Sequence, residues 1–310
     1  MKRRALLALL PAGLVAACSG NDRELNGPVR IATGSTTAVY WAYGTAIAEL
    51  IRIRLPHLRP SVLPTAASAE NISRVLGGSA ELGFTQADIA GPIATAYPLG
   101  HQLMSLARLY DDYVHLVVRA SGPIHKLADV SGHKVSIGVN GSGTAITAGL
   151  LLDVGGNLRG TTNVVELSLD ASARGLLDNT IDGFFFSGGL PVAAINTLAK
   201  KAELRLVPLG DFVQPMREKN GEYYVDRVLP ASTYLGIAAT ETIGIPNYLV
   251  VRSSMSDTMA YALTELLFTG QDVLARAHPT GARLNIRSAI ATPPLVLHPG
   301  AARYYRHVKE

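Results

Sequence analysis

Short runs of apolar and polar positions, repeatedly closed by glycine, organise the chain. Val29-Arg30-Ile31-Ala32-Thr33-Gly34 alternates with period two and predicts a strand that stops at a glycine. The hydroxyl residues Ser35, Thr36 and Thr37 can then cap a helix over residues 40–53, with Pro56 and Pro60 marking its exit. Residues 60–65 predict a second strand and 69–76 a helix closed by Gly77-Gly78. Residues 81–86 (ELGFTQ) predict a third strand, whose polar end, Gln86 and Asp88, opens another helix. A βαβαβ run of this kind builds a parallel sheet with helices on both faces.

Two apolar runs of strand length follow, 103–110 and 114–119 (VHLVVR). Past Gly122-Pro123 the order of elements repeats, although the residues themselves do not. A short helix is predicted over 124–130, then a strand over 134–139 that enters Asn140-Gly141-Ser142-Gly143-Thr144. A helix over 145–154, a strand over 164–167 and a helix over 171–178 come next, then a strand over 181–186 ending at Ser187-Gly188-Gly189. Beyond it the pattern predicts helices over 191–199 and 212–220 and a strand over 204–208. Residues 234–239 and 242–251 are β-like. A clear amphipathic helix covers 257–268, with Ser256 as its cap, and a short one covers 271–277 before an aromatic, basic tail from residue 297. The expected fold is α/β with two lobes. Residues 29–115 and 245–310 form the first, residues 116–244 the second, and the apolar runs at 114–119 and 246–251 cross between them. Ligands of open parallel sheets sit beyond the carboxyl ends of the strands, so two such sheets facing each other make a cleft.

The first residues change the charge picture. Lys2, Arg3 and Arg4 form a basic start, an apolar stretch runs to Val15, and Val15-Ala16-Ala17-Cys18 precedes a polar SGNDREL. This predicts a signal peptide over residues 1–17, lipidation of Cys18 and a tether over residues 18–28. Val15-Ala16-Ala17 also suits an ordinary signal peptidase. Three of the 28 basic residues lie in that leader and the 24 acidic ones begin at Asp22, so the remainder carries 25 against 24, or +1. That balance provides no track for nucleic acid. Cys18 is the only cysteine, which excludes an internal disulfide and a thiolate metal site. With 48% hydrophobic residues the chain can bury a substantial core, and no later stretch reaches eighteen apolar residues.

The candidate chemistry lies at the glycine-ended strands. Around Gly34 and Ser35–Thr37 the backbone can turn tightly, hydroxyls can bond an anion, and the next helix presents free N–H groups. Asn140–Thr144 places Ser142 between two glycines, where successive N–H groups can form an anion nest. It lacks the lysine of a P-loop and the glycine spacing of a dinucleotide fingerprint, so it fits a carboxylate better than a polyphosphate. Tyr40 and Trp41 either line a pocket or fill the core. Gln86 offers both a donor and an acceptor, and Gly188-Gly189 repeat the strand-end logic. His101, His115, His125 and His133 lack metal-ligand spacing, no G-x-S-x-G elbow occurs, and neither catalysis nor a metal or cofactor is expected. No arginine falls within these motifs. Arg108, Arg119 and Arg174 remain candidates to pair with an anion, as does binding by helix ends and hydroxyls alone.

The blocks IATGSTTAVYWAYGTAIAEL, SAENISRVLGGSAELGFTQADIA, VNGSGTAITAGLLL, DGFFFSGGLP and HPGAARYYRH, in this order, resemble the TAXI subfamily of solute receptors of tripartite ATP-independent periplasmic (TRAP) transporters. The resemblance covers nearly all of the chain after the leader. It implies a class II periplasmic-binding-protein fold closing around a small organic anion or amino acid: a glutamate-like amino acid, a dicarboxylate or a 2-oxo acid. It also implies transporter membrane subunits as partners and a periplasmic location, with membrane lipid reached through Cys18. A sensory or accessory binding lipoprotein that feeds no transporter is the alternative. By the same resemblance Ser35, Thr36, Tyr40 and Gln86 match the first-lobe side of the site. Asn140, Ser142, Gly143 and Thr144 match the second, with Gly188 and Gly189 near the mouth. Ala38-Val39-Tyr40-Trp41-Ala42 departs from the subfamily's more glycine-rich opening and implies a narrower pocket.

Overall fold

The computed structural model describes residues 25–96 and 102–309; Cys18 and the leader lie outside the described residues. Strand β1 (Gly27–Ala32) leads to α1 (Val39–Arg54), β2 (Leu58–Leu63), α2 (Ser68–Leu76), β3 (Leu82–Gln86) and α3 (Ala87–Ala96). A long strand, β4 (Leu103–Arg119), leads into β5 (Lys134–Ser136), α4 (Gly143–Val154), β6 (Asn163–Val165), α5 (Leu169–Leu177) and β7 (Gly183–Gly188). Next come α6 (Ala193–Ala199), β8 (Leu204–Leu206), α7 (Val213–Asn220), β9 (Val225–Leu229) and a second long strand, β10 (Thr240–Arg252). Helices α8 (Asp257–Thr269), α9 (Gln271–Ala277), α10 (Ile286–Ala289) and α11 (Pro299–His307) complete the described residues.

The repeated element order becomes a repeated topology. β1 pairs in parallel with β2 and β3, and β5 pairs in parallel with β6 and β7. Each parallel trio is flanked by one long antiparallel strand, β10 beside β3 and β4 beside β7. The two long strands also pair with each other from Gly244↔Tyr113 to Arg252↔Leu103. All ten strands therefore share one hydrogen-bonded sheet, with the path β2-β1-β3-β10-β4-β7-β5-β6, β8 on β4 and β9 on β10. This corrects the expectation of two separate sheets. The polar pair Asp111-Asp112 does not interrupt β4, whose 17 residues reach about 55 Å at the rise of an extended chain. Its ladder passes from one half of the molecule into the other.

The apolar cores still divide along those strands. One set of packed residues draws on Val29–Tyr110 and Tyr248–Tyr305, with α1, α8 and α11 over one face of the sheet and α2 and α3 over the other. The other set lies between Tyr113 and Ile245. These two cores define two lobes of a class II periplasmic-binding-protein fold, and β4 and β10 run through both. Three local expectations change. Only Leu127–Val130 of residues 124–130 is helical, as a single 3-10 turn. Residues 234–239 form no strand, because Tyr234 is used as a buried plug whose hydroxyl bonds His115 and the Val192 N–H. The partner of β10 is instead β9, whose residues alternate between half-buried and exposed until Leu229 and carry too weak an apolar signal.

Candidate functional site

A cleft of about 400 Å³ opens between the lobes. Four helices begin at it. Ala38, Ala67, Ser142 and Ser168, the residues that precede α1, α2, α4 and α5, all line its wall. Each follows a strand of a parallel trio, which is why the carboxyl ends of those strands and the amino ends of those helices meet in one place. A helix start carries unpaired N–H groups and about half a positive charge. Ser142 and Ser168 cap their own helices, through Ala145 N–H at 3.1 Å and Ala171 N–H at 3.3 Å. No side chain caps α1 or α2, so their first-turn N–H groups remain available to an anion. Ala67 enters α2 at φ 77°, ψ −140°, a conformation that alanine rarely adopts.

The sequence candidates separate here. Ser35, Tyr40, Gln86, Ser142, Gly143, Thr144 and Gly188 line the cleft. Thr36 and Asn140 are exposed on their turns and take no part in the lining. Gly189 packs under the site, where a Cβ would come within 2.7 Å of Thr280 and 3.1 Å of Tyr110. Tyr40 is 7% exposed, stacks on Phe84 at 5.1 Å between ring centres and donates its hydroxyl proton to Asn247. It is therefore both core and wall. Thr144 Oγ1 accepts from the Ser187 N–H at 3.1 Å, tying the start of α4 to the end of β7.

Gln86 spans the cleft. Its Nε2 donates to Asp112 Oδ2 at 3.1 Å and to Ser187 Oγ across the gap, and its Oε1 sits over Gly143. A Cβ on Gly143 would lie 1.7 Å from that oxygen, so glycine is what permits the approach. Other contacts join the two lobes around the same opening. Thr37 Oγ1 donates to Asp170 at 3.3 Å, and Thr147 Oγ1 and Tyr224 Oη donate to Asp88 at 2.8 and 3.4 Å. Burial pushes the Asp88 carboxyl up to about 6.

Asp112, Tyr110, Ser68, Ser168, Phe186 and Ser187 join the lining without having been singled out in the sequence. The signal for Asp112 was present. Asp111-Asp112 interrupts an otherwise apolar stretch of strand length, and a carboxylate there has to be paired or functional. Asp111 is paired, with Arg108 at 2.6 Å and with Arg227. Asp112 has no ion-pair partner among the described residues, and burial pushes it up to about 8. None of the arginines considered as anion partners reaches the cleft. Arg108 is held by Asp111, Arg119 bonds the Leu176 and Ile181 carbonyls, and Arg174 is exposed on α5. Among the described residues no lysine or arginine lines the site, and no group of three His, Cys, Asp or Glu side chains is placed to hold a metal ion. No helix among them is long and apolar enough to cross a membrane.

Comparison with solved structures supports the same architecture. The chain is similar to the periplasmic aliphatic sulphonate binding protein SsuA of Escherichia coli, at 15% identity and a TM-score of 0.52, covering 90% of this chain and 83% of that one. It is similar to malate-bound MatC of Rhodopseudomonas palustris, at 13% identity and 0.54, covering 91% and 96%. A putative L-cystine ABC transporter protein of Listeria monocytogenes matches at 12% identity and 0.54, covering 83% and 98%. At such identities the likeness concerns the fold, two α/β lobes about a cleft. The model of the NMT1-like family matches residues 31–308, nearly the whole described chain, and the protein belongs to that family.

Proposed function

We propose that the protein is an extracytoplasmic solute receptor that captures a small organic anion in the interlobe cleft and delivers it to a TRAP-type secondary transporter. The observation that carries this reading is the convergence of four helix amino termini on one cleft, two of them uncapped. Such an arrangement stabilises a carboxylate without an arginine. The size of the cleft falls in the range of about 300–1,000 Å³ typical of small-molecule sites. SsuA is by its description a sulphonate binder and MatC holds malate, both organic anions, which agrees with this choice. The transporter type follows from the TAXI resemblance of the sequence blocks, and attachment to the membrane from Cys18 directly after the leader of residues 1–17.

In this reading residues 29–115 with 245–310 and residues 116–244 move as two bodies about the middle of β4 and β10, and the bonds from Gln86, Asp88 and Thr37 hold the closed form. The test is a thermal-shift screen against amino acids, C4 and C5 dicarboxylates, 2-oxo acids and aromatic acids. A ligand that binds only the native state raises its apparent stability, so a shift with one acid is expected. Replacing Ser142 and Thr144 together by alanine should abolish it. An unchanged shift in that variant, or none with any acid, refutes the assignment of the site.

A further inference from the structure

The floor of the cleft carries three buried side chains whose oxygens can accept hydrogen bonds. Asp112 and Gln86, 4% and 2% exposed, line it together with Tyr110. Both donor sites of the Gln86 amide are used, on Asp112 Oδ2 and Ser187 Oγ. Gln86 Oε1, Asp112 Oδ1 and Tyr110 Oη are buried without a hydrogen-bond partner among the described residues. Buried polar atoms are nearly always paired, and unpaired ones gathered at one cleft mark the place where a ligand supplies the missing partner. For Gln86 Oε1, whose amide protons are both used, the missing partner is a donor, whereas Tyr110 Oη and a protonated Asp112 can donate as well as accept. An amide oxygen only accepts, as does Asp112 once it has given up its proton, and no lysine or arginine among the described residues lines the cleft to offset a second carboxylate on the ligand beside the ionised form.

We propose that Asp112, supported by Gln86 and Tyr110, is a charge-selecting subsite: it accepts hydrogen bonds from a cationic nitrogen on the solute. The cleft then takes a zwitterion, its anionic end on the helix termini and its ammonium on the floor, in preference to a diacid or a 2-oxo acid. This rests on the reading of the cleft as a solute site and narrows it.

The surroundings of Asp112 couple this choice to a proton. On its own strand Asp111, though paired with Arg108 and Arg227, still raises the Asp112 carboxyl by its like charge, and Tyr110 keeps its phenolic proton through burial. From α1 Tyr40 does the same, and from α3 Asp88 adds a second acid. β3 and β10 contribute only the neutral amides of Gln86 and Asn247, which lower the carboxyl without offsetting its burial, and β7 contributes Ser187. With its carboxyl held up to about 8, Asp112 carries a proton at neutral pH. An arriving ammonium favours the carboxylate and expels that proton. A second carboxylate favours retention.

Titration calorimetry on the purified protein at pH 7, in two buffers of different ionisation enthalpy, reads both consequences. The probes are L-glutamate against glutarate and 2-oxoglutarate, and L-leucine against 4-methylpentanoate and its 2-oxo analogue. The amino member of at least one series should bind roughly tenfold tighter or better. It should release about one proton. Asp112→Asn should remove the proton release and most of the preference. Tighter binding of an amine-free acid overturns the assignment and leaves the receptor reading standing, as does amino-acid binding without proton release in the unaltered protein. So does an Asp112→Asn protein that folds and keeps both properties. No binding in either series removes the receptor reading and this subsite with it.

Discussion

Replacing Gly143 by alanine should separate ligand affinity from fold stability. Gly143 is the first residue of α4 and is not among the glycines with positive φ, so alanine fits its backbone. Within the helix it should add roughly 0.5–1 kcal/mol of stability over glycine. The new Cβ, however, would lie 1.7 Å from Gln86 Oε1 and 2.7 Å from its Cδ. The Gln86 amide is the end of a flexible side chain and can swing aside, so the cost is the loss of its two bonds, to Asp112 and across the cleft to Ser187. At about 1 kcal/mol each the closed form loses about 2 kcal/mol, or roughly thirtyfold in affinity. Calorimetric Kd values for the acid found in the screen, with urea unfolding of the free protein, measure the two effects separately. Affinity should fall while stability holds or rises. Combined with Gln86→Ala, the variant should bind no more weakly than Gln86→Ala alone, because the clash then has no partner. Affinity within about threefold of the original, measured on a folded variant, would refute the reasoning.

Three further outcomes follow from the same geometry. His115 is 1% exposed, and burial holds it down to about 4; with Nδ1 facing the Tyr113 carbonyl at 2.8 Å and Nε2 facing Tyr234 Oη at 3.0 Å, it is neutral and protonated on Nδ1. The unfolded chain takes up this proton near pH 6.5, so the stability His115 contributes is present above that pH and declines by about 3 kcal/mol down to pH 4; urea unfolding of His115→Gln should show a flatter profile in that window. For Asp112 the shift is upward, so its folded form is favoured at low pH and penalised as pH rises from about 4 to 8; Asp112→Asn should therefore be more stable than the unaltered protein, by a margin that opens across that range and is constant above it, and equal stability at pH 8.5 would contradict the burial argument. Ala67→Gly should relieve the φ 77° entry into α2 and raise stability by about 1 kcal/mol in urea unfolding, net of the greater freedom glycine has in the unfolded chain.

Sequence alone determined the elements and the places where they turn. Period-two runs closed by glycine are local properties, and Ser256 caps the helix that follows as expected, whereas Ser35, Thr36 and Thr37 leave α1 without a side-chain cap. The repeated βαβαβ order was legible for the same reason, and with it the expectation of two lobes whose glycine-ended strands meet at a cleft. Seven of the ten candidate positions line it, because a strand end and a helix start are fixed by neighbours a few residues away. Thr36, Asn140 and Gly189 sit on the same turns, yet which residue of a turn faces inward depends on the lobe opposite.

Tertiary structure decided what lies far apart in the chain. The union of ten strands through β4 and β10 depends on pairing residues more than a hundred positions apart, such as Tyr113 with Gly244, and no local pattern encodes that register. The pairing of Asp111 with Arg227, and the absence of any such partner for Asp112 among the described residues, are likewise long-range outcomes. In sequence the two aspartates are equivalent neighbours. Successive residues of a strand point to opposite faces, so one meets the arginines and the other is left on the buried floor of the cleft, where charge, proton and ligand are coupled.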